Sequence, residues 1–290
     1  MKLRAFFILL CLTLGSIQAE EFRPNLGPDL PSITVTAGKI TLLLRRNTQW
    51  TPGRIDYDGS AMTTERSAYG TVFSFPDVGF IGTGHLENEP ENLQSLAFSL
   101  DRKELNTPTA ELSGETFRFE RKSLIRNIAL GNIIEIRNNR LYETAVVSSP
   151  YETPLKLVYH FMHAWTPTVS AYLAGIDETS QVMSSALTND EAVHRQFHIE
   201  TAVDWVAVYE PVSGQFAVSR LLESPPELKT TSKIWNVIGT YRKYYLQSAH
   251  NDTLPAGFHG TWRMVTAFGN ARLDEWEREA GKLAIDLLED

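Results

Sequence analysis

The sequence predicts an all-β fold, a large antiparallel two-sheet β-sandwich with a C-terminal helix. Three observations predict it. About fourteen short segments carry strand character and are bounded by turn residues. Helical periodicity appears only after residue 270. The chain has 290 residues, 42% of them hydrophobic, which suffices for a sizeable core. Strands of about ten residues favour a large sandwich over a small immunoglobulin-type unit.

The chain opens with a leader. Lys2 and Arg4 precede the apolar run Ala5 to Leu14, and small and polar residues follow from Gly15 to Ala19. This is the layout of a signal peptide over residues 1–19, cleaved after Ala19. The run is short for a transmembrane span, so none remains once the leader is removed; a membrane anchor or a buried strand is the alternative. Residues 20–290 then form a single β-sandwich domain. The only cysteine, Cys11, lies in the leader, so the mature chain has no disulfide. An exported chain without disulfides fits a periplasmic or extracellular bacterial setting.

Pro24, Pro28 and Pro31 make an extended lead-in. Strands follow at Ile33 to Thr36 and Ile40 to Leu44 across an Ala37-Gly38-Lys39 turn, then at Arg54 to Asp58 and Thr71 to Phe75. Residues 76–92 read as one long loop, a kind that is often functional. Gln94 to Leu100, Thr116 to Glu120, Leu124 to Leu130, Ile133 to Arg137 and Leu141 to Ser148 form a meander. Leu155 to Trp165 is the most continuously apolar run outside the leader, and residues 166–198 look less regular. Strands return at Ala202 to Tyr209, Gln215 to Leu222, Trp235 to Gln247 and Gly260 to Phe268. Finally Leu273, Trp276, Ala280, Leu283, Ala284 and Leu287 recur at helical spacing, with Asn270 as a cap. That stripe is expected to pack on a sheet.

Charge excludes one class of partner. Removing residues 1–19 takes away Lys2 and Arg4 and no acidic group, which moves the formal net charge from −8 to −10. No basic run offers a face to nucleic acid. No Walker-type loop or dinucleotide glycine pattern is present, so no cofactor is expected. No metal site is assigned: Asp56 and Asp58 suggest calcium, but their alternation with Tyr57 fits an ordinary strand equally well.

The run Leu155 to Trp165 carries His160 and His163. Strand alternation puts Tyr159, Phe161, His163 and Trp165 on one face and Val158, His160 and Met162 on the other. The two histidines are then too divergent to share a metal, and His160 is the one left to face a ligand.

The segment Thr153-Pro154-Leu155 through Tyr159-His160-Phe161 resembles the histidine-bearing strand of aldose 1-epimerases (galactose mutarotases). Tyr159 stands where that family has Asn. Arg54 to Gly59 resembles the family's early strand, and His85 falls where it has an upstream substrate histidine. Leu254 to Gly257 with Gly260 to Phe268 resembles its late turn and closing strand. The resemblance implies a galactose mutarotase-like sandwich that binds carbohydrate. It also implies an isomerase with His160 as general acid and Glu223 as general base. His85, Arg54 and Asp204 would then bind substrate.

Aromatic residues point to the same ligand class. Their rings stack on the apolar faces of sugars. The run Tyr241-Arg242-Lys243-Tyr244-Tyr245 alternates aromatic and basic side chains, which makes Tyr241 and Arg242 further substrate-binding candidates, suited to an acidic sugar. Two readings stand beside the epimerase. One is a polysaccharide lyase acting on an acidic glycan, with His160 or His85 beside Tyr241 and Arg242. The other is a glycan-binding envelope protein with no catalysis. The sequence leaves the sugar and the oligomeric state open.

Overall fold

The structure, a computed structural model, describes residues 25–66, 69–85 and 87–289. The expected signal peptide lies outside the described residues. Two large antiparallel sheets dominate. The ten-stranded sheet runs Gln181–Ala186, Ala171–Ile176, Trp205–Glu210, Gln215–Glu223, Phe258–Asn270, Arg140–Ser149, Ile128–Arg137, Phe117–Ile125, Asn92–Leu100 and Lys103–Glu104. The six-stranded sheet runs Phe197–Thr201, Thr231–Val237, Tyr241–Ser248, Leu157–Trp165, Tyr69–Phe75 and Gly79–Gly82. A five-stranded sheet is built from the early strands, and in it Ser32–Ala37 pairs in parallel with Glu111–Gly114.

The main core lies between the sheets, and period-two alternation fills it. Along Ile128–Arg137 the residues Ile128, Leu130, Ile134 and Ile136 turn inward. Phe258–Asn270 sends Phe258, Trp262, Met264 and Phe268 into the core and Val265 and Ala267 to the opposite face. There the helix α1 (Trp276–Asp286) packs through Trp276, Ala280 and Ala284 onto Tyr142, Trp205, Tyr209 and Val218. Trp276 stacks on Tyr209 with centroids 5.1 Å apart. Arg220 donates to the Ala284 carbonyl at 2.9 Å, placing a cation at the helix C-terminus.

Three expectations need correction. Asn270 ends a strand rather than capping the helix, whose N-cap position is Glu275, and Leu273 is exposed. The stretch 166–198 holds the hairpin Ala171–Ile176 with Gln181–Ala186. The second of these strands is an almost wholly exposed edge, so it lacks the apolar alternation that reveals strands in sequence. Within 76–92, Gly79–Gly82 pairs with Tyr69–Phe75.

The histidines give the largest correction. The strand Leu157–Trp165 contains a β-bulge between His160 and His163, with Phe161 at φ 52°. The extra residue resets the alternation. Val158, His160, Phe161, His163 and Trp165 all face the main core, and Tyr159 and Met162 face outward. Both histidines therefore point the same way, into the sandwich.

Candidate functional site

His160 is fully buried. Its ring stacks on Trp262 at 4.2 Å, Nε2 lies 3.1 Å from Ser248 Oγ, and Nδ1 lies 3.5 Å from Thr71 Oγ1. Burial pushes its pKa down to about 3, so the ring is neutral at ordinary pH. No carboxylate of the described residues is within ion-pair reach of it. His163 instead meets Glu143 at 2.7 Å from the facing sheet.

Through Thr71, His160 joins a buried polar network. Arg121 donates through Nη1 to Thr83 and Glu91, both at 2.9 Å, and to Asn132 at 3.3 Å. Ser123 also donates to Glu91, and Asn132 reaches Thr71 at 3.4 Å. A cavity of about 20 Å³ beside Arg121, Asn132 and His163 has room for one water. Hydrogen bonding keeps these buried groups in place, and the space is far too small for a sugar.

The other predicted residues scatter. Glu223 ends its strand half-exposed, 3.8 Å from Arg263. Arg54 holds Asp56 at 2.6 Å on the five-stranded sheet. Asp58 pairs with Lys39 at 3.1 Å, so lysine and arginine occupy the two aspartates considered for calcium. Asp204 accepts the Asp177 backbone N–H at 2.6 Å. Arg242 points inward and donates to the Pro167 carbonyl at 3.0 Å, to Asn189 at 2.8 Å and to Asn236.

His85 and Tyr241 do share a surface, the outer face of the six-stranded sheet. In Tyr241–Ser248 alternation turns Tyr244 and Leu246 into the core and Tyr241, Lys243 and Tyr245 outward. Trp235 sits opposite Lys243 in register on the neighbouring strand. Tyr159 comes from the bulged strand, and its ring meets Tyr245 edge-on at 4.7 Å and Phe80 face-on at 5.6 Å. His85 follows a tight turn in which its N–H donates to the Gly82 carbonyl at 2.9 Å and Gly84 takes φ 81°. Its ring lies 5.7 Å from Phe80, and its Nδ1 lies 2.6 Å from Glu87. Trp235, Tyr159 and Phe80 are partly exposed on this face.

Lys243 is the chemically distinct member. It is 6% exposed, with Nζ 4.7 Å from the Tyr241 centroid and 5.6 Å from that of Trp235. Burial, assisted by the nearby Arg66 charge, lowers its pKa to about 8. Burial also lowers the His85 pKa, with Glu87 opposing, and raises those of Tyr159 and Tyr245. The face thus combines ring surfaces for stacking with an amine that titrates near neutrality. Lys243, Trp235, Tyr159 and Tyr245 were absent from the sequence-based site, although the alternation in YRKYY already pairs Lys243 with Tyr241.

A groove of about 510 Å³ opens beyond Lys243, between Tyr241, Arg45, Glu65 and Arg66. At the far end of the same strand pair a second groove, of about 430 Å³, lies between Thr231, Lys233, Gln247 and Asp252. Among the described residues no cluster of three or more His, Cys, Asp or Glu residues is arranged to hold a metal, and no helix is long and apolar enough to cross a membrane.

No protein-family model matches the chain, and no curated protein matches it by sequence. Solved structures do match. A Synechocystis protein aligns at TM-score 0.53 and 8% identity, covering 84% of this chain and 98% of that one. A galactose mutarotase-like protein from Lactobacillus casei aligns at TM-score 0.50 and 10% identity, covering 82% and 100%. The alpha-galactosidase from Lactobacillus brevis aligns at TM-score 0.51 and 8% identity over 84% of this chain and 40% of its own length. The chain has the galactose mutarotase-like sandwich fold.

Proposed function

We propose that the protein is exported and binds carbohydrate on the outer face of its six-stranded sheet. The observation that carries this is the assembly of Trp235, Tyr159, Tyr241 and Tyr245 around Lys243, with open grooves at both ends. Aromatic faces favour the C–H faces of sugar rings, and flanking polar groups serve the hydroxyls. The leader argues for export, and the fold is shared with galactose mutarotase-like proteins, which fits a sugar ligand.

The test is glycan binding by titration calorimetry with Trp235→Ala. Trp235 is partly exposed, so the variant keeps its melting temperature within a few degrees while affinity falls about tenfold, the equivalent of ~1.4 kcal/mol. Unchanged affinity in the folded variant would sink the placement.

Lys243 favours a second reading, a catalyst that moves a proton on this face, and the lyase fits it because its base must titrate near working pH. Release of unsaturated uronate from acidic glycans, read by absorbance, checks it. The epimerase reading rests on the resemblance alone, since His160 is sealed in the core and Glu223 stands half-exposed at Arg263, so the two do not flank a common site. A mutarotation assay on common aldoses tests it.

A further inference from the structure

Arg45, Arg66 and Lys243 line one end of the sheet face, against the single carboxylate of Glu65. Arg45 engages Glu65 through both the side chain at 3.4 Å and the backbone carbonyl at 2.5 Å. Arg66 is exposed and has no carboxylate partner among the described residues. The groove therefore carries surplus positive charge on a protein whose overall charge is strongly negative. Like charges are placed close enough for Arg66 to bear on Lys243, an arrangement that an incoming anion relieves.

A second, separate groove lies further along the same strand. From Tyr241 the strand runs past Lys243 and Tyr245 to Gln247, which borders the second groove. That distance is about 20 Å at a strand rise of ~3.4 Å per residue. Trp235 and Tyr245 lie between the two grooves, so the face is longer than a single sugar ring.

Resting on the carbohydrate reading, we infer that the ligand is an acidic oligosaccharide laid along Tyr241–Ser248. Its charged unit enters the Arg45–Arg66–Lys243 corner, and the following units cross Trp235 and Tyr245. Carboxylate and sulfate present the same chemistry to this corner: an anion that accepts from guanidinium and ammonium donors.

Titration calorimetry on the whole protein tests this with uronate oligosaccharides of several linkages, sulfated oligosaccharides, neutral oligosaccharides of matching length, and single uronates. Acidic tetramers are expected to bind at least tenfold tighter than neutral tetramers and than single uronates. Arg66→Gln, at an exposed position that leaves folding intact, is expected to reduce the ratio of acidic to neutral affinity at least fivefold. Equal affinity for acidic and neutral tetramers, or an unchanged ratio in Arg66→Gln, overturns the anionic assignment while leaving carbohydrate binding in place. A single uronate that binds as tightly as the tetramer overturns the extended ligand. Failure of every glycan, neutral and acidic, removes the carbohydrate reading and this inference with it. A preference confined to sulfated or to carboxylated oligomers identifies which anion the corner serves.

Discussion

His160 and Lys243 are both basic side chains held below their ordinary pKa by burial, on opposite faces of one sheet. For His160 the unfolded chain takes up a proton near pH 6.5, whereas the folded ring resists until about pH 3. The His160 contribution to stability is therefore fully present above pH 6.5 and is lost progressively as pH falls from 6.5 toward about 3. Urea denaturation across that range is expected to show the decline, and His160→Gln is expected to flatten it. Lys243 acts at the other end of the scale. Its ammonium is charged below about pH 8 and neutral above, so affinity for an acidic oligosaccharide is expected to fall as pH rises through 8. Calorimetry at pH 7 and pH 9 checks this, and Lys243→Met is expected to lose the step. In stability the sign reverses. The cost of burying the charge is present below pH 8 and disappears as pH rises toward 10.5. Lys243 was legible in the sequence through the alternation of Tyr241-Arg242-Lys243-Tyr244-Tyr245. The inward turn of Arg242 follows from the same alternation, and its partners Asn189 and Asn236 come from segments that no local pattern links to it.

At the scale of elements, most strands were legible because one face is apolar and the other is not. The bulge at Phe161 was not. Nothing local in HFMH announces a residue at φ 52°, and an unbroken count of two per turn of the pleat misplaces everything after it. Deleting Phe161 restores strict alternation and leaves His163 and Trp165 facing inward and Met162 outward, but it removes the Phe161 side chain from the main core. The loss of that buried ring is expected to cost about 3–5 kcal/mol in denaturant unfolding followed by circular dichroism, with the His163–Glu143 contact kept. The helix α1 shows the converse, an element found by its stripe but misjudged at its start. Trp276 is its anchor, stacked on Tyr209 and buried over the ten-stranded sheet. Trp276→Ala is expected to cost about 3–5 kcal/mol in denaturant unfolding, the usual range for removing a buried aromatic. Leu273→Ala, at an exposed position, is expected to change stability by less than about 0.5 kcal/mol.

For the whole molecule, fold class follows from composition and alternation, which act along the chain. The site does not, because it is assembled across it. Phe80 and His85 come from an early turn, Tyr159 from the middle, and Trp235, Tyr241 and Lys243 from a late hairpin. Only the pairing of Leu157–Trp165 with both Tyr69–Phe75 and Tyr241–Ser248 brings them together. His85 and Tyr241 were identified from separate clues, and that pairing places them on one face. The tryptophans divide for the same reason: Trp50, Trp165 and Trp262 fill the main core, Trp205 and Trp276 pack between the ten-stranded sheet and the helix, and Trp235 lies on the outer face of the six-stranded sheet.

The ten-stranded sheet has a seam where Arg140–Ser149 pairs with Phe258–Asn270. Strands made early stand on one side of that seam and strands made late on the other, and the strand that joins them is the last in the chain. Until it arrives, each half presents an unpaired edge. A chain emerging from a ribosome thus has no complete sandwich to lock into, and closure waits for the last strand. The same timing leaves long sticky edges exposed in any interrupted product. A fragment ending at residue 256 is expected to aggregate and to show no cooperative melt, whereas the full chain melts as a unit.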